Sequence, residues 1–587
     1  MPRLIRAGCE VVAKLTRLDL VLLHAPSVYD FRERFAVYGP ISDVIPSTPI
    51  FEMYPLGFVS MVAHLEKHGY RARIINVAVK MLRDPKFDVE EFVEGLDARA
   101  YGVDLHWLAH ADGATRLAEA VKRHHPDAPV LMGGLSASYF HEEIAADYPQ
   151  VDYVLRGDST EEPLLELMRC LDSGKTPDNV PNLTWRDAGG KKRVNPLTHV
   201  PRSLDDVILD YEVVVKLVLR HRDLESNLPY ESFMDYPFTA VLTCKGCSRS
   251  CVTCGGSRYS FSNFYGRDGP VFKSPGKLVE EMKVISDYFK TPIFLLGDLN
   301  QGGERYAEGV LDEIKREKVD NTVIFELFEP ATEDFLKRAA SSCESFSMEI
   351  SPDSHDEGVR RLQGKSYTNE AMDKSIGKAM GLGSLKYDVF FMSGLPGQTR
   401  DSVLASAEYG ARLMGEYKER NVYAFLAPMA PFLDPGSIAF EEPEAHGYTR
   451  LLGTLGEHRA ALSQPTWKHV LNYSTRWMSR DDVCASTYDG MQRLNRAKVD
   501  LGVIDPGRGD TIEEGLTRTM ALIGRVDEIL ASTPDEEKRT ELLKGLDAKD
   551  GSIGKTMIYL KRELRVPGGA GVRVSGVVKH LLRRSRR

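Results

Sequence analysis

The sequence predicts an α/β protein with two successive units in which strands alternate with helices, followed by a mainly helical region. Short apolar, β-prone runs alternate with helically spaced apolar residues over positions 18–175, and the alternation resumes at Phe238. After Pro435-Gly436 the apolar spacing becomes helical. We therefore expect four segments, with bounds 1–175, 176–236 (a connection that includes a helix), 237–440 and 441–587.

In the first unit, the alternation predicts a doubly wound, Rossmann-like parallel sheet. Strands are expected at residues 18–23, 71–77, 100–104, 129–132 and 153–156, with helices at 56–68 and 113–124. The first helix should stop at Gly69, a residue typical of helix C-termini. Ligands of such sheets bind at the carboxyl ends of the strands, so the loops after these strands are the candidate binding residues.

Composition narrows the class of protein. A chain of 587 residues should hold more than one domain, and its net charge of −9 argues against bulk nucleic-acid binding. We find no apolar run of membrane-spanning length and no signal peptide, and the scattered remaining cysteines are typical of reduced thiols. We expect a cytoplasmic protein.

The chemistry is concentrated in one loop, where Cys247, Cys251 and Cys254 have C-x3-C-x2-C spacing and Gly255-Gly256 follow. Clustered thiolates indicate an iron–sulfur cluster or another soft metal site. With Cys244 the loop has four cysteines, so a structural zinc site in a non-catalytic binding protein is an alternative. The spacing lacks the long gap between ligand pairs that most zinc sites show.

The loop and its Thr243–Cys247 entry resemble the radical S-adenosylmethionine (SAM) enzymes, in particular their cobalamin-binding branch. The resemblance implies a [4Fe–4S] cluster on Cys247, Cys251 and Cys254, with SAM on the open iron. Two residues depart from the family pattern. Thr253 replaces a common aromatic residue, and Cys244 would block SAM if it ligated the fourth iron. In the milder interpretation Cys244 is a small buried residue at the strand end.

The resemblance also implies a partial (β/α)6 barrel. Its strands are expected at residues 238–242, 292–296, 322–328, 345–351, 387–392 and 422–427. By resemblance, SAM would lie against the loops after these strands. The implied SAM-binding residues are Gly255, Gly256, Glu349, Ser351, Gly394, Pro396 and Gly397.

The first unit resembles the cobalamin-binding domain that precedes many radical SAM domains. Asp104, Gly133 and Gly134 are the cobalamin-binding candidates, because glycines after a strand let a large flat cofactor approach the backbone. The loop after the first strand lacks the D-x-H-x2-G motif that supplies a cobalt-ligating histidine. We therefore expect no histidine below the cobalt, with His106 as the alternative.

By resemblance, the function is a methyltransferase that uses a 5′-deoxyadenosyl radical and methylcobalamin to methylate an unactivated carbon. A radical cyclase or rearrangement enzyme of lipid or pigment biosynthesis is the alternative. The implied partners are a small-molecule or lipid substrate and an electron donor such as ferredoxin or flavodoxin. The tail from Gly571 has six Lys or Arg residues and no acid. It predicts either a solvated tail or a basic amphipathic helix in contact with an anionic membrane.

Overall fold

The structure is a computed structural model that describes residues 17–429, 431–546, 558–569, 571–573 and 575–576. Within them the chain forms two large sheets and a mainly helical C-terminal region, as the sequence predicts. The proposed helix around Val577–Leu582 lies outside the described residues.

The first sheet has seven strands in the order β2-β1-β3-β4-β5-β6-β7. These are β1 Leu18–His24, β2 Ala72–Asn76, β3 Ala98–Asp104, β4 Val130–Gly133, β5 Tyr153–Leu155, β6 Leu183–Arg186 and β7 Lys192–Val194. The first five are parallel, and this order is typical of doubly wound sheets that bind cofactors at their carboxyl edge. The predicted fold of this unit is confirmed.

Helices cover both faces of this sheet. They are Gly57–Lys67, Val77–Arg83, Val89–Glu94, Ala111–His124, Leu135–Tyr139, His141–Asp147 and Glu161–Ser173. The first ends before Gly69, which has a φ of 87° that a side chain rarely adopts. Asn76 at the end of β2 caps the next helix, because its side chain accepts a hydrogen bond from the Val79 N–H.

The segment 176–236, expected to be a connection, also extends the first sheet. Strands β6 and β7 form an antiparallel hairpin on β5. The predicted helix is present as Tyr211–His221, and it carries the chain to the second sheet.

The second sheet has six parallel strands in the order β15-β14-β13-β12-β11-β8, which is a partial (β/α)6 barrel open between β8 and β15. The strands are β8 Thr239–Leu242, β11 Ile293–Leu296, β12 Val323–Leu327, β13 Phe346–Asp353, β14 Tyr387–Ser393 and β15 Val422–Pro428. A short ribbon, β9 Cys244–Lys245 with β10 Val271–Phe272, follows β8. The helices between them are Arg258–Phe264, Pro275–Tyr288, Glu304–Glu317, Glu333–Ser342, Glu357–Gln363, Asn369–Gly381 and Arg400–Glu416.

A tyrosine hydroxyl pairs with the backbone of each edge strand of this open barrel. The Tyr211 hydroxyl donates to the Ala240 carbonyl at 2.9 Å and accepts from the Ala240 N–H at 3.0 Å on β8. On β15, the Tyr559 hydroxyl accepts from the Leu426 N–H at 2.7 Å and donates to its carbonyl at 3.1 Å. Backbone groups that an open edge would leave unpaired are thereby satisfied.

The C-terminal region is mainly helical, with one added hairpin. Its helices are Ile438–Glu441, Leu455–Leu462, Trp467–Val470, Arg480–Asp500, Pro506–Ser532, Glu536–Lys544 and Lys561–Leu564. The hairpin pairs β16 Tyr448–Arg450 with β17 Tyr473–Thr475. No helix among the described residues is long and apolar enough to cross a membrane.

Candidate functional site

A cavity of about 1170 Å³ lies between the carboxyl edge of the first sheet and the mouth of the barrel. We call it the interface cavity. The ends of β3, β4 and β5 line one side, and the cysteine loop and β8 line the other. Five predicted cofactor residues line it: Asp104, Gly133, Gly134, Gly255 and Gly256. The predicted cobalamin residues and the glycine pair of the predicted SAM site therefore border one space.

The three cysteines predicted to hold the cluster lie on the loop after β9, and backbone donors point at two of their sulfurs. The Arg249 N–H donates to Cys247 Sγ and the Gly256 N–H donates to Cys254 Sγ, both at 3.3 Å. Hydrogen bonds to cluster sulfurs stabilise negative charge and tune the reduction potential. The C-x3-C-x2-C spacing lacks the long gap between ligand pairs that most zinc sites show, and on that ground the loop favours a cluster over a single ion.

Thr253, the departure from the family pattern, has a specific partner. The Gln363 side chain donates to the Thr253 hydroxyl at 2.6 Å, and both residues are buried. The Val252 N–H donates to the Gln363 carbonyl at 3.0 Å. Gly364 follows with a φ of 100°, and a Cβ there would lie 3.1 Å from the Ser250 carbonyl oxygen. The end of the helix Glu357–Gln363 thus fixes the middle of the cysteine loop. The contact is made at Thr253, where the family commonly has an aromatic residue.

Lys365 places a positive charge beside the thiols. Its ammonium group pairs with Asp353 at 2.7 Å and donates to the Ser351 carbonyl at 2.5 Å. Burial alone would lower the pKa of Lys365, but Asp353 and then Cys251 raise it above its usual value. Burial raises the pKa of the Cys251 thiol, and the charge of Lys365 opposes that shift. Lys365 therefore stabilises thiolate in the loop.

Cys244 is buried in the short strand β9 that follows β8, and it shares a neighbour with the first loop thiol: Gln301 Nε2 donates to Cys244 Sγ at 3.9 Å, and Cys247 Sγ donates to Gln301 Oε1 at 3.4 Å. Burial raises the pKa of the Cys244 thiol to about 12. A Cβ at Gly297 would lie 2.9 Å from its sulfur, so Cys244 packs directly against the turn after β11. These contacts support the interpretation of Cys244 as a packed strand-end residue.

On the side of the interface cavity formed by the first sheet, Asp104 already has a side-chain partner. Its carboxylate pairs with His24 Nδ1 at 2.8 Å, and both groups are buried. His110 packs edge-on against His24, and the Phe51 carbonyl accepts from a ring nitrogen of His110 at 2.7 Å. Asp104 therefore holds the His24 ring, which in turn packs against His110 and the segment at Phe51.

Gly134 is required by the protein's own backbone. Its φ is 115°, and a Cβ there would lie 2.4 Å from the His106 Cα. Gly133, in contrast, could carry a Cβ, which would lie in ordinary contact at 3.6 Å from the Leu155 carbonyl oxygen, and it lines the interface cavity. The His106 side chain is exposed to the interface cavity and lines it. A large flat cofactor fits between these strand ends and the cysteine loop.

Two cations from the barrel unit hold Asp158, at the end of β5. Arg267 forms an ion pair with the Asp158 carboxylate, with one contact at 3.0 Å. Lys245 donates to the Asp158 carbonyl at 2.6 Å. These contacts connect the carboxyl edge of the first sheet to the cysteine loop, and they fix the width of the interface cavity.

Three carboxylates lie side by side inside the barrel. Glu349 on β13 pairs in register with Glu326 on β12 and Asp388 on β14. Burial, then Glu326 and Asp388, raises the pKa of Glu349 well above its ordinary value. Lys386 pairs with Asp388 at 2.7 Å. Burial favours the neutral forms of these acids, and a cationic group placed beside them, such as the sulfonium of SAM, would favour their ionised forms and be bound by them.

The remaining predicted SAM residues lie around the strand ends of β13 and β14 and do not line the interface cavity: Glu349, Ser351, Gly394, Pro396 and Gly397. In the turn after β14, the Gly394 and Leu395 N–H groups donate to the buried Gln398 side chain at 2.9 and 3.1 Å. A Cβ at Gly394 would lie 2.3 Å from the Tyr473 hydroxyl oxygen, so the C-terminal hairpin requires a glycine there.

Asp434, which the sequence did not single out, lines the cavity beside the cysteine loop. It accepts from the Gly255 N–H at 3.0 Å, and burial raises the pKa of its carboxyl to about 6. Glu326 and Asp388 were also missed. Each is an acid within a predicted buried strand, and that mismatch was the available signal. Asp434 follows β15 in a loop without periodicity, so no comparable signal existed.

Two family models match the chain. The B12 binding domain matches residues 44–165, and the radical SAM superfamily matches residues 241–410. An uncharacterized methyltransferase of Pyrococcus horikoshii is 22% identical over 372 residues, which cover 62% of this chain and 74% of that protein. A cytidylyl-2-hydroxyethylphosphonate methyltransferase of Streptomyces wedmorensis is 28% identical over 158 residues, covering 24% and 29%.

Solved structures share the fold. The radical SAM methyltransferase TsrM from Kitasatospora setae, with cobalamin and a [4Fe–4S] cluster bound, has a TM-score of 0.54 at 17% identity, covering 84% of this chain and 90% of that chain. The cobalamin-dependent SAM radical enzyme OxsB, with aqua-cobalamin bound, has a TM-score of 0.52 at 12% identity, covering 98% and 81%.

Proposed function

The chain belongs to the cobalamin-binding radical SAM enzymes, and from this premise we propose that it transfers a methyl group from SAM, through cobalamin, to an unactivated carbon of its substrate. The observation that carries the proposal is the interface cavity, because it joins the carboxyl edge of the B12 binding domain directly to the cysteine loop. When bound, the cluster and SAM supply a 5′-deoxyadenosyl radical, and methylcobalamin supplies the methyl group.

The residues of the chain have separate tasks in this proposal. Cys247, Cys251 and Cys254 hold the cluster, and Lys365 stabilises their negative charge. Gly133 and Gly134 line the cavity at the end of β4; Gly133 would give cobalamin access to the backbone, and Gly134 lets this turn pack against the His106 backbone beside it.

The SAM side of the proposal rests on the barrel interior and its mouth. Glu349, with its neighbouring acids, favours the cationic groups of SAM. Ser351, at the end of the same strand, together with the Gly255-Gly256 pair and the turn of Gly394, Pro396 and Gly397, borders the barrel mouth. An electron donor such as ferredoxin or flavodoxin would reduce the cluster.

Deuterated SAM tests this function. After anaerobic reconstitution with iron, sulfide and cobalamin, incubation with SAM carrying a CD3 group and a reductant should place CD3 on the cobalt. Mass spectrometry of the extracted cobalamin detects it. Unlabelled cobalamin, together with continued release of 5′-deoxyadenosine, would contradict methyl transfer and favour cyclisation or rearrangement.

One sequence comparison supports the cyclase alternative. An anaerobic magnesium-protoporphyrin IX monomethyl ester cyclase of Rubrivivax gelatinosus is 21% identical over 192 residues, covering 32% of this chain and 31% of that protein. Product mass separates the two reactions, since methylation adds a CH2 unit and ring closure removes hydrogen.

A further inference from the structure

The interface cavity continues away from the cofactor residues into an apolar arm. We define the apolar arm by the cavity-lining side chains of residues 211–242, 289–296 and 572. These are aliphatic and aromatic with a few neutral polar groups, and within the described chain no Asp, Glu, Lys or Arg lines this arm. The arm runs between the helix Tyr211–His221 and strand β8.

The arm opens to solvent through an apolar mouth. Leu219, Leu224, Met234 and Val572 line the cavity and are also 37%, 53%, 65% and 55% exposed. They make up four of the ten large apolar side chains that the described residues expose. Such side chains normally occur singly on a surface, and a group of them around a cavity opening marks a binding site.

Cobalamin, SAM and the chain's own C-terminal segment all carry polar or charged groups that do not match this apolar lining. Cobalamin carries amide side chains and a phosphate, and SAM is charged, so both match the polar end near Asp434, Lys245 and the strand-end glycines. The chain's own segment after Val572 carries six Lys or Arg residues between positions 573 and 587. Burying those charges in an arm without counter-ions would be costly. A hydrocarbon chain has no charge to desolvate, and its apolar surface gains free energy by leaving water for the arm.

We propose that the apolar arm binds an alkyl or isoprenoid segment of the methyl acceptor and guides it from the mouth to the cysteine loop. This inference rests on the proposed function, because it assigns the class of substrate: an amphiphile with a long hydrocarbon chain. The arm belongs to the same cavity that Cys244, Gly246 and Gly255 line, so a chain bound in the arm can extend toward the cysteine loop.

A fluorescent alkyl probe tests the inference on the full-length, reconstituted protein. Dansyl-undecanoic acid should bind saturably, and unlabelled fatty acids of eight to sixteen carbons should displace it below their micelle concentrations. Each added methylene should raise the affinity of the competitor about fourfold until the arm is full. Affinity that does not change with chain length would overturn the proposal.

Substitutions that introduce a charge at the mouth can be compared with matched substitutions at exposed leucines elsewhere. Leu224→Glu and Met234→Glu should weaken probe binding by about tenfold or more, because a carboxylate then borders the path of the chain. Leu451→Glu and Leu542→Glu change residues that are 41% and 42% exposed and lie outside the cavity, so they should leave binding unchanged. Equal effects in the two sets would refute the assignment. Met234→Leu should bind as wild type does, and weakening by this conservative variant would also count against it.

Two further experiments identify the occupant of the apolar arm and the source of that occupant. Deleting residues 574–587 should leave probe affinity unchanged, whereas a gain of about tenfold or more would show that the tail fills the arm and would overturn the proposal. Transfer of the probe from phosphatidylcholine vesicles, compared with free probe, distinguishes a membrane lipid from a free amphiphile, and either source fits the arm. Release of 5′-deoxyadenosine is measured on the same samples. If it persists without alkyl binding, only the substrate class fails and the proposed function stands.

Discussion

Removing the Tyr559 hydroxyl should weaken one edge of the barrel by a predictable amount. In Tyr559→Phe, the Leu426 N–H and carbonyl lose their partner, and water cannot replace it readily because Tyr559 is 6% exposed. Each buried backbone group left unpaired costs roughly 1–3 kcal/mol, so for two groups we expect a loss of about 2–6 kcal/mol in the free energy of local opening. Since a chain with several domains need not unfold in two states, hydrogen exchange at Leu426 is the appropriate assay.

The fold supplies matched controls for this prediction. Tyr211→Phe removes the equivalent pair of bonds to Ala240 and should expose that amide to exchange in the same way. The Tyr473 hydroxyl is buried without a hydrogen-bond partner, so Tyr473→Phe should be neutral or stabilising. Unchanged exchange at Leu426 in Tyr559→Phe, or equal damage from Tyr473→Phe, would refute the role assigned to the edge tyrosines.

Three other predictions concern the site. Cys244→Ala should retain the absorbance of the cluster near ~400 nm and SAM cleavage, since Cys244 packs against Gly297; loss of the cluster would favour ligation by four cysteines. Electron paramagnetic resonance of the Co(II) form should show no nitrogen splitting from an imidazole, and a splitting that vanishes in His106→Ala would contradict this. Asp434 binds a proton more tightly folded, at a pKa of about 6, than unfolded, at 3.8, so stability should fall as pH rises through that window, by up to about 1.4 kcal/mol per pH unit. Asp434→Asn, which still offers an acceptor to Gly255, should flatten this fall in the free energy of local opening, measured by hydrogen exchange at the Gly255 amide, and an unchanged slope would refute the assignment.

The sequence was sufficient for the parallel strands of both sheets because these strands are buried, largely apolar runs separated by helices. The runs at 387–392 and 422–427 match β14 and β15 closely, since parallel strands covered on both faces are mostly apolar, with Asp388 as the exception in β14. The cysteine spacing led to the family for a chemical reason, because three thiolates on one short loop have few other uses.

Features that depend on contacts distant in sequence were not predictable. The partnership of Thr253 with Gln363 joins residues 110 positions apart, and Tyr559 reaches Leu426 across 133 positions. The hairpin β6–β7 was also missed, because β7 is fully exposed and lacks the apolar alternation of a half-buried strand. Asp434 acquires its place in the cavity only through the fold.

The most direct test of the central claim is the release of 5′-deoxyadenosine from SAM by the anaerobically reconstituted, reduced protein. The account predicts about four iron and four sulfide per chain, with steady release of 5′-deoxyadenosine. It also predicts loss of both the cluster and the release in each of the variants Cys247→Ala, Cys251→Ala and Cys254→Ala. A full cluster with SAM cleavage in any of these variants, or a wild-type protein that binds one zinc ion and leaves SAM intact, would contradict it.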